Sequence, residues 1–187
     1  MSLNSKGYSL LEVLVSLSIL LWLSSLLVPS YAELKARRSV SLKVWEIKRS
    51  MEYARNLAIT HNRTMLLCTA TETYQCVQRN GSRLVVFDDQ NGDYQWSADE
   101  PLYRDIDTGD ALIELSASSH AYVKFLSSGR IGGLGNFQIC TPSAGDFGRQ
   151  VIFYYSGRIR LSKDSNQDGY DEKDGSPIRC AILVKLD

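Results

Sequence analysis

Arg158 and Arg160 are separated by one isoleucine, with Gly157 just before them. On a strand, residues two apart share a face, so this spacing sets two guanidinium groups side by side and turns Ile159 the other way, toward a core. Two planar forks of N–H donors on one face suit phosphate oxygens. Arg149 and Lys163 are neighbouring cations that the same surface could use. Just beyond, Asp164, Asn166 and Asp168 hold the first, third and fifth places of a loop, with Gly169 next, which is how a calcium loop begins. The twelfth place should be a bidentate Glu and is Gly175, so an exposed Asp/Asn/Gly turn is the favoured reading. Calcium, with Asp171 or Glu172 as substitute ligand, is the alternative. Asp89-Gln90-Asn91-Gly92-Asp93, with Glu100 further on, is a looser copy. His61 and His120 have no recognisable nucleophile or metal partner, and there is neither a Gly-x-Ser-x-Gly nor a phosphate-cradling glycine loop. No enzyme and no firm cofactor is expected.

The remaining charge of interest is Glu12, the one charged residue between Tyr8 and Val28. That run of 21 residues, at about 1.5 Å each, spans roughly 31 Å, one bilayer core. A secretory signal would have a shorter apolar core and a small-residue cleavage site after it. An ordinary anchor would not place an acid on its first turn, where it costs on the order of 2.5–3.5 kcal/mol unless paired.

Lys6-Gly7 followed by Tyr8-Ser9-Leu10-Leu11-Glu12 resembles the class III signal of type IV pilins and pseudopilins. The resemblance implies that a prepilin peptidase cuts between Gly7 and Tyr8, that the Tyr8 amine is methylated, and that Glu12, fifth in the mature chain, pairs with the new ammonium of a neighbouring subunit. Pro29 falls at mature position twenty-two, where type IV pilins commonly carry a helix-kinking proline. Tyr8 departs from the usual Phe but stays aromatic. The expected organisation is a leader over 1–7, a transmembrane and polymerisation helix over 8–29, an amphipathic helix over 30–63 and a β-rich part over 64–187, with 30–187 forming one soluble domain.

The elements follow from the residue pattern. Val40, Val44, Ile47, Met51, Ala54 and Ala58 recur at helical spacing in a stretch without Gly or Pro, which predicts an amphipathic helix from Ser30 to about Asn62, joined to the apolar run as one kinked helix. Its other side is basic, with Lys35, Arg37, Arg38, Lys43, Lys48, Arg49, Arg55 and Arg63 against Glu33, Glu46 and Glu52. Strands are predicted at 64–68, 75–78, 83–88, 111–117, 122–127, 137–140, 150–155 and 158–161. Asn80-Gly81 is expected to turn the second into the third, and Ser156-Gly157 to make a two-residue turn between the last two. No internal repeat is apparent. One helix followed by strands implies an α+β subunit with mostly antiparallel pairing.

Whole-chain charge is balanced, 21 basic against 21 acidic residues, so there is no global field for polyanions, and from Thr141 onward the count is seven against seven. All four cysteines follow the apolar run, and an even number delivered to the oxidising periplasm predicts two disulfides. Three connectivities are open. Cys68 with Cys76, a short local loop, and Cys140 with Cys180, tying down the C-terminal region, is the preferred one. Zinc is disfavoured by the absence of any Cys-x-x-Cys.

Phe125 with Gly129 close behind, Phe137-Gln138-Ile139-Cys140, and Arg149-Gln150-Val151 leading to Ser156-Gly157-Arg158-Ile159-Arg160-Leu161 together resemble the GspH/FimT family of minor pilins and pseudopilins. So do Val85-Val86-Phe87-Asp88 and the helix end from Met51 to Ile59. The resemblance implies a pilin-like fold, with a long N-terminal helix on antiparallel sheet. It also implies residence in the inner membrane with a periplasmic domain, and later display in a surface pilus whose assembly the subunit primes or caps. Partners would be other pilin subunits, the assembly machinery and prepilin peptidase. In FimT-type minor pilins of naturally transformable bacteria a Gly-Arg-x-Arg element is associated with binding double-stranded DNA for uptake. Arg158 and Arg160 match it. The alternative is a GspH-type pseudopilin of a type II secretion system.

Overall fold

The computed structural model describes residues 9–117 and 120–180, apart from the side chains of residues 25–30 and 32. The expected cleavage and methylation positions, Gly7 and Tyr8, lie outside the described residues. One helix, α1 (Leu10–His61), begins under Ser9, whose hydroxyl accepts the Glu12 N–H, and ends at Asn62 in a left-handed conformation that folds its N–H back into the last turn. It is continuous through residue 29. Val40, Val44, Ile47, Met51, Ala54 and Ala58 are all buried, joined by Ala36 one turn earlier, so the helical period read from the sequence is the packed face.

That face lies on two sheets in which every strand pairing is antiparallel. In the first, β1 (Met65–Ala70) has β3 (Arg83–Asp88) on one side, followed by β4 (Leu102–Asp107). On its other side β1 pairs with both β2 (Cys76–Val77) and β6 (Tyr122–Phe125). The second sheet runs β5 (Leu112–Ser116), β7 (Gly135–Cys140), β8 (Gly148–Phe153), β9 (Ile159–Leu161). A short 3-10 turn (Pro142–Ala144) joins β7 to β8, and β10 (Glu172–Lys173) pairs with β11 (Ser176–Pro177) in a small hairpin. Alternation sends Met65, Leu67, Leu84, Val86, Phe125, Phe137, Val151 and Phe153 into the core under α1. Leu66, Cys68, Val85 and Phe87 face the opposite way, into a second cluster flanked by Tyr74, Trp96 and Tyr122. Buried on both faces, β1 is apolar at nearly every position.

Two turn assignments need correction. Asn80-Gly81 does not turn β2 into β3, because both strands pair with β1. The Asn80 N–H instead donates to the Ile113 carbonyl (2.9 Å) and the Leu115 N–H to the Gln78 carbonyl (2.7 Å), which stitches the first sheet to the edge of the second. Gly81 is small for a different reason: a Cβ there would sit 2.7 Å from the backbone N of Ala70. The β8–β9 turn has three residues, not two. Tyr154 N–H donates to the Arg158 carbonyl and Gly157 N–H to the Tyr154 carbonyl, a type I turn followed by a left-handed Gly157 (φ 82°). β4, β10 and β11 were not anticipated. The disulfides are Cys68–Cys76 and Cys140–Cys180, the preferred pairing.

Candidate functional site

The β8–β9 hairpin presents Arg158 and Arg160 outward while Ile159 packs against the core. Arg160 is steadied: its Nη2 donates to the Tyr154 hydroxyl (2.8 Å), with the guanidinium over that ring. Arg158 is exposed and makes no side-chain hydrogen bond or ion pair among the described residues. Lys163 is exposed beyond the end of β9, its backbone bridged to Glu172.

Arg149 is not brought to this surface. It shares a face of β8 with Val151 and Phe153, whereas Arg160 pairs with Ile152 on the other face. Its Nε bonds the buried Asp171 carboxylate at 2.9 Å, its Nη1 reaches the Ser41 hydroxyl on α1, and Asp171 also accepts from Ser162. Arg149 is therefore a strut between α1, β8 and the segment carrying Asp171.

The Asp164 loop is held by its own backbone. Asp164 accepts from Gln167 and Gly169 N–H, Asn166 from Asp168 N–H, Asp168 from Tyr170 N–H, and Glu172 from Ser165 and Asn166 N–H. The looser copy repeats the scheme: Asp89, Asn91 and Asp93 each accept a backbone N–H, and the buried Glu100 accepts those of Gln90, Asn91 and Ser97. Among the described residues no three His, Cys, Asp or Glu side chains converge as metal ligands. Arg37 ties the first loop to α1, donating to the Gly169 carbonyl and lying over Phe147 and Tyr170.

Three features escaped the sequence reading. Arg55, one of the basic residues on the side of the helix away from the apolar stripe, donates its Nε to the Gly129 carbonyl (2.7 Å). Asp105, on the unanticipated β4, receives a two-pronged bond from Arg83 that holds its carboxyl below the usual carboxylate range, and the Tyr74 hydroxyl bonded to it is pushed up. A groove of about 980 Å³ runs between α1 and β4, with Leu42 and Trp45 exposed along it and Tyr103 and Ile106 on its far wall.

At the other end of α1, Glu12 sits in the first turn among exposed apolar side chains: Leu10, Leu11, Leu14, Leu17, Leu20 and Leu21 are each more than half exposed. The expected membrane span is not met by the described residues, among which no helix is long and apolar enough to cross a membrane.

A family model described as type II transport protein GspH matches residues 44–168, more than half of the chain. The chain belongs to the GspH family. Within this GspH-family chain the match takes in Arg55, the β8–β9 hairpin and the start of the Asp164 loop, and leaves out Glu12 and Cys180. The chain is also similar to the type IV minor pilin FimU of Pseudomonas aeruginosa PAO1, solved in two crystal forms. One is 21% identical over 68% of this chain and 97% of FimU, with a TM-score of 0.48. The other is 20% identical over 72% and 97%, with a TM-score of 0.49. No curated protein matches the sequence.

Proposed function

We propose that this GspH-family chain is a minor subunit of a type IV pilus. It is made with a leader cut after Gly7, methylated on Tyr8, held in the inner membrane by the run ending at Val28, and then transferred into a filament whose assembly it primes or caps. The observation that carries the reading is the division of α1. From Ala36 onward one face is packed on the sheets, while the stretch from Leu10 to Leu23 is exposed and almost wholly apolar. So much apolar surface has to be covered, first by lipid and then by the helices of sister subunits. Glu12, alone in charge there, needs a cation, and the ammonium left on a neighbour by cleavage supplies one. The test is assembly in cells: Glu12→Leu is expected to abolish incorporation into filaments while the protein still accumulates, and mass spectrometry of incorporated protein should find it starting at Tyr8. Wild-type levels of incorporation by the variant, or a retained leader, would defeat the proposal.

The second part of the reading is DNA capture through Arg158 and Arg160, two exposed guanidinium groups on one hairpin. Changing both to Gln should remove salt-sensitive DNA retention by the protein. The competing assignment, a pseudopilin of a type II secretion machine, is favoured by the matching family's own description. It predicts that loss of the chain stops export of secreted proteins and leaves pili intact.

A further inference from the structure

Phe125-Leu126-Ser127-Ser128-Gly129-Arg130-Ile131 and Phe153-Tyr154-Tyr155-Ser156-Gly157-Arg158-Ile159 are two copies of Phe-x-x-Ser-Gly-Arg-Ile. They fold alike. Phe125 pairs with Ile131 as Phe153 pairs with Ile159. Leu126 N–H donates to the Arg130 carbonyl at 2.9 Å and Gly129 N–H to the Leu126 carbonyl at 2.8 Å, matching the 3.1 and 2.9 Å bonds of the β8–β9 turn. Gly129 and Gly157 are both left-handed, at φ 76° and 82°.

The two turns also touch. Ile131 N–H donates to the Tyr155 carbonyl (3.2 Å), and a Cβ on Gly157 would fall 2.3 Å from the Gly129 carbonyl oxygen and 2.8 Å from Arg55 Nε. Arg55, bonded to that same carbonyl, therefore lies against both turns. Arg130 and Arg158 thus leave the backbone at equivalent points of adjoining turns. Both are exposed, and neither side chain has a hydrogen-bond or ion-pair partner among the described residues.

We propose that Arg130 is a third phosphate-contacting arginine, forming with Arg158 and Arg160 one surface for the backbone of duplex DNA. The inference rests on the DNA-binding reading above and extends it to a residue outside the Gly-Arg-x-Arg element.

The full chain in neutral detergent is titrated against a fluorescent 30-base-pair duplex of arbitrary sequence over a range of salt concentrations. Each phosphate contact adds about 0.9 to the slope of log affinity against log salt. Arg130→Gln is expected to flatten the slope by about 0.9 and weaken binding roughly five-fold near 0.15 M salt, as Arg158→Gln does. Arg79→Gln, which removes an exposed arginine paired with Glu114 elsewhere, should leave the slope unchanged. Thermal melting should be the same for all three, since none is buried. A wild-type slope for Arg130→Gln, alongside a flattened one for Arg158→Gln with Arg160→Gln, would overturn this inference and leave the DNA-binding reading standing. An unchanged slope for that double variant would overturn both. Equal flattening by Arg79→Gln would trace the effect to net charge and overturn the inference too.

Discussion

Arg149 and Arg158 lie nine residues apart and are put to opposite uses. Arg149 turns inward to the buried Asp171, and removing one partner of such a pair strands the other's charge. Arg149→Gln should accordingly lower stability by about 3 kcal/mol in urea denaturation while leaving the salt dependence of DNA binding unaltered. Arg158→Gln should do the reverse. The distinction could have been read from strand parity, since Arg149 is two before Val151 and four before Phe153, both core residues. Nothing local in the sequence marks Arg55: its partner is a backbone carbonyl 74 residues away.

The elements divide by how local their cause is. α1 was legible because its stripe repeats at three and four residues, and β3, β7 and β8 because apolar runs end in turn residues. β4 was not, because Arg104 and Asp105 interrupt its apolar alternation and its pairing depends on β3, with a register shift between Val86 and Phe87. Asn80-Gly81 has the composition of a hairpin turn, yet its glycine answers a close approach to β1 that only the tertiary fold creates. The seven-residue repeat is easily overlooked because it is short and two of its positions differ between the copies. For the covalent ties, loop length sets the expectation: Cys140–Cys180 spans 40 residues and Cys68–Cys76 spans 8. Replacing the first pair by serines should cost about 4 kcal/mol and the second about 2.5 kcal/mol, so urea midpoints should rank wild type, then the 68/76 variant, then the 140/180 variant.

In the molecule as a whole, the two surfaces proposed to be functional sit far apart on one rod. Glu12 and Arg55 are separated by 43 residues of continuous helix, about 65 Å. Charge effects do not carry over such a distance at ordinary salt. Glu12→Leu should therefore leave the affinity of the detergent-solubilised chain for DNA within two-fold of wild type in a fluorescence anisotropy titration, even where it stops filament incorporation.

The abutment of Gly129 and Gly157 sets a rule for anyone borrowing this motif. Because one turn's carbonyl fills the room a side chain on the other would need, and a helix arginine sits against both, the loops form an indivisible cassette. Grafted singly onto another scaffold, either would keep its shape but lose its mate. Transplantation calls for both loops together with the Arg55 helix segment.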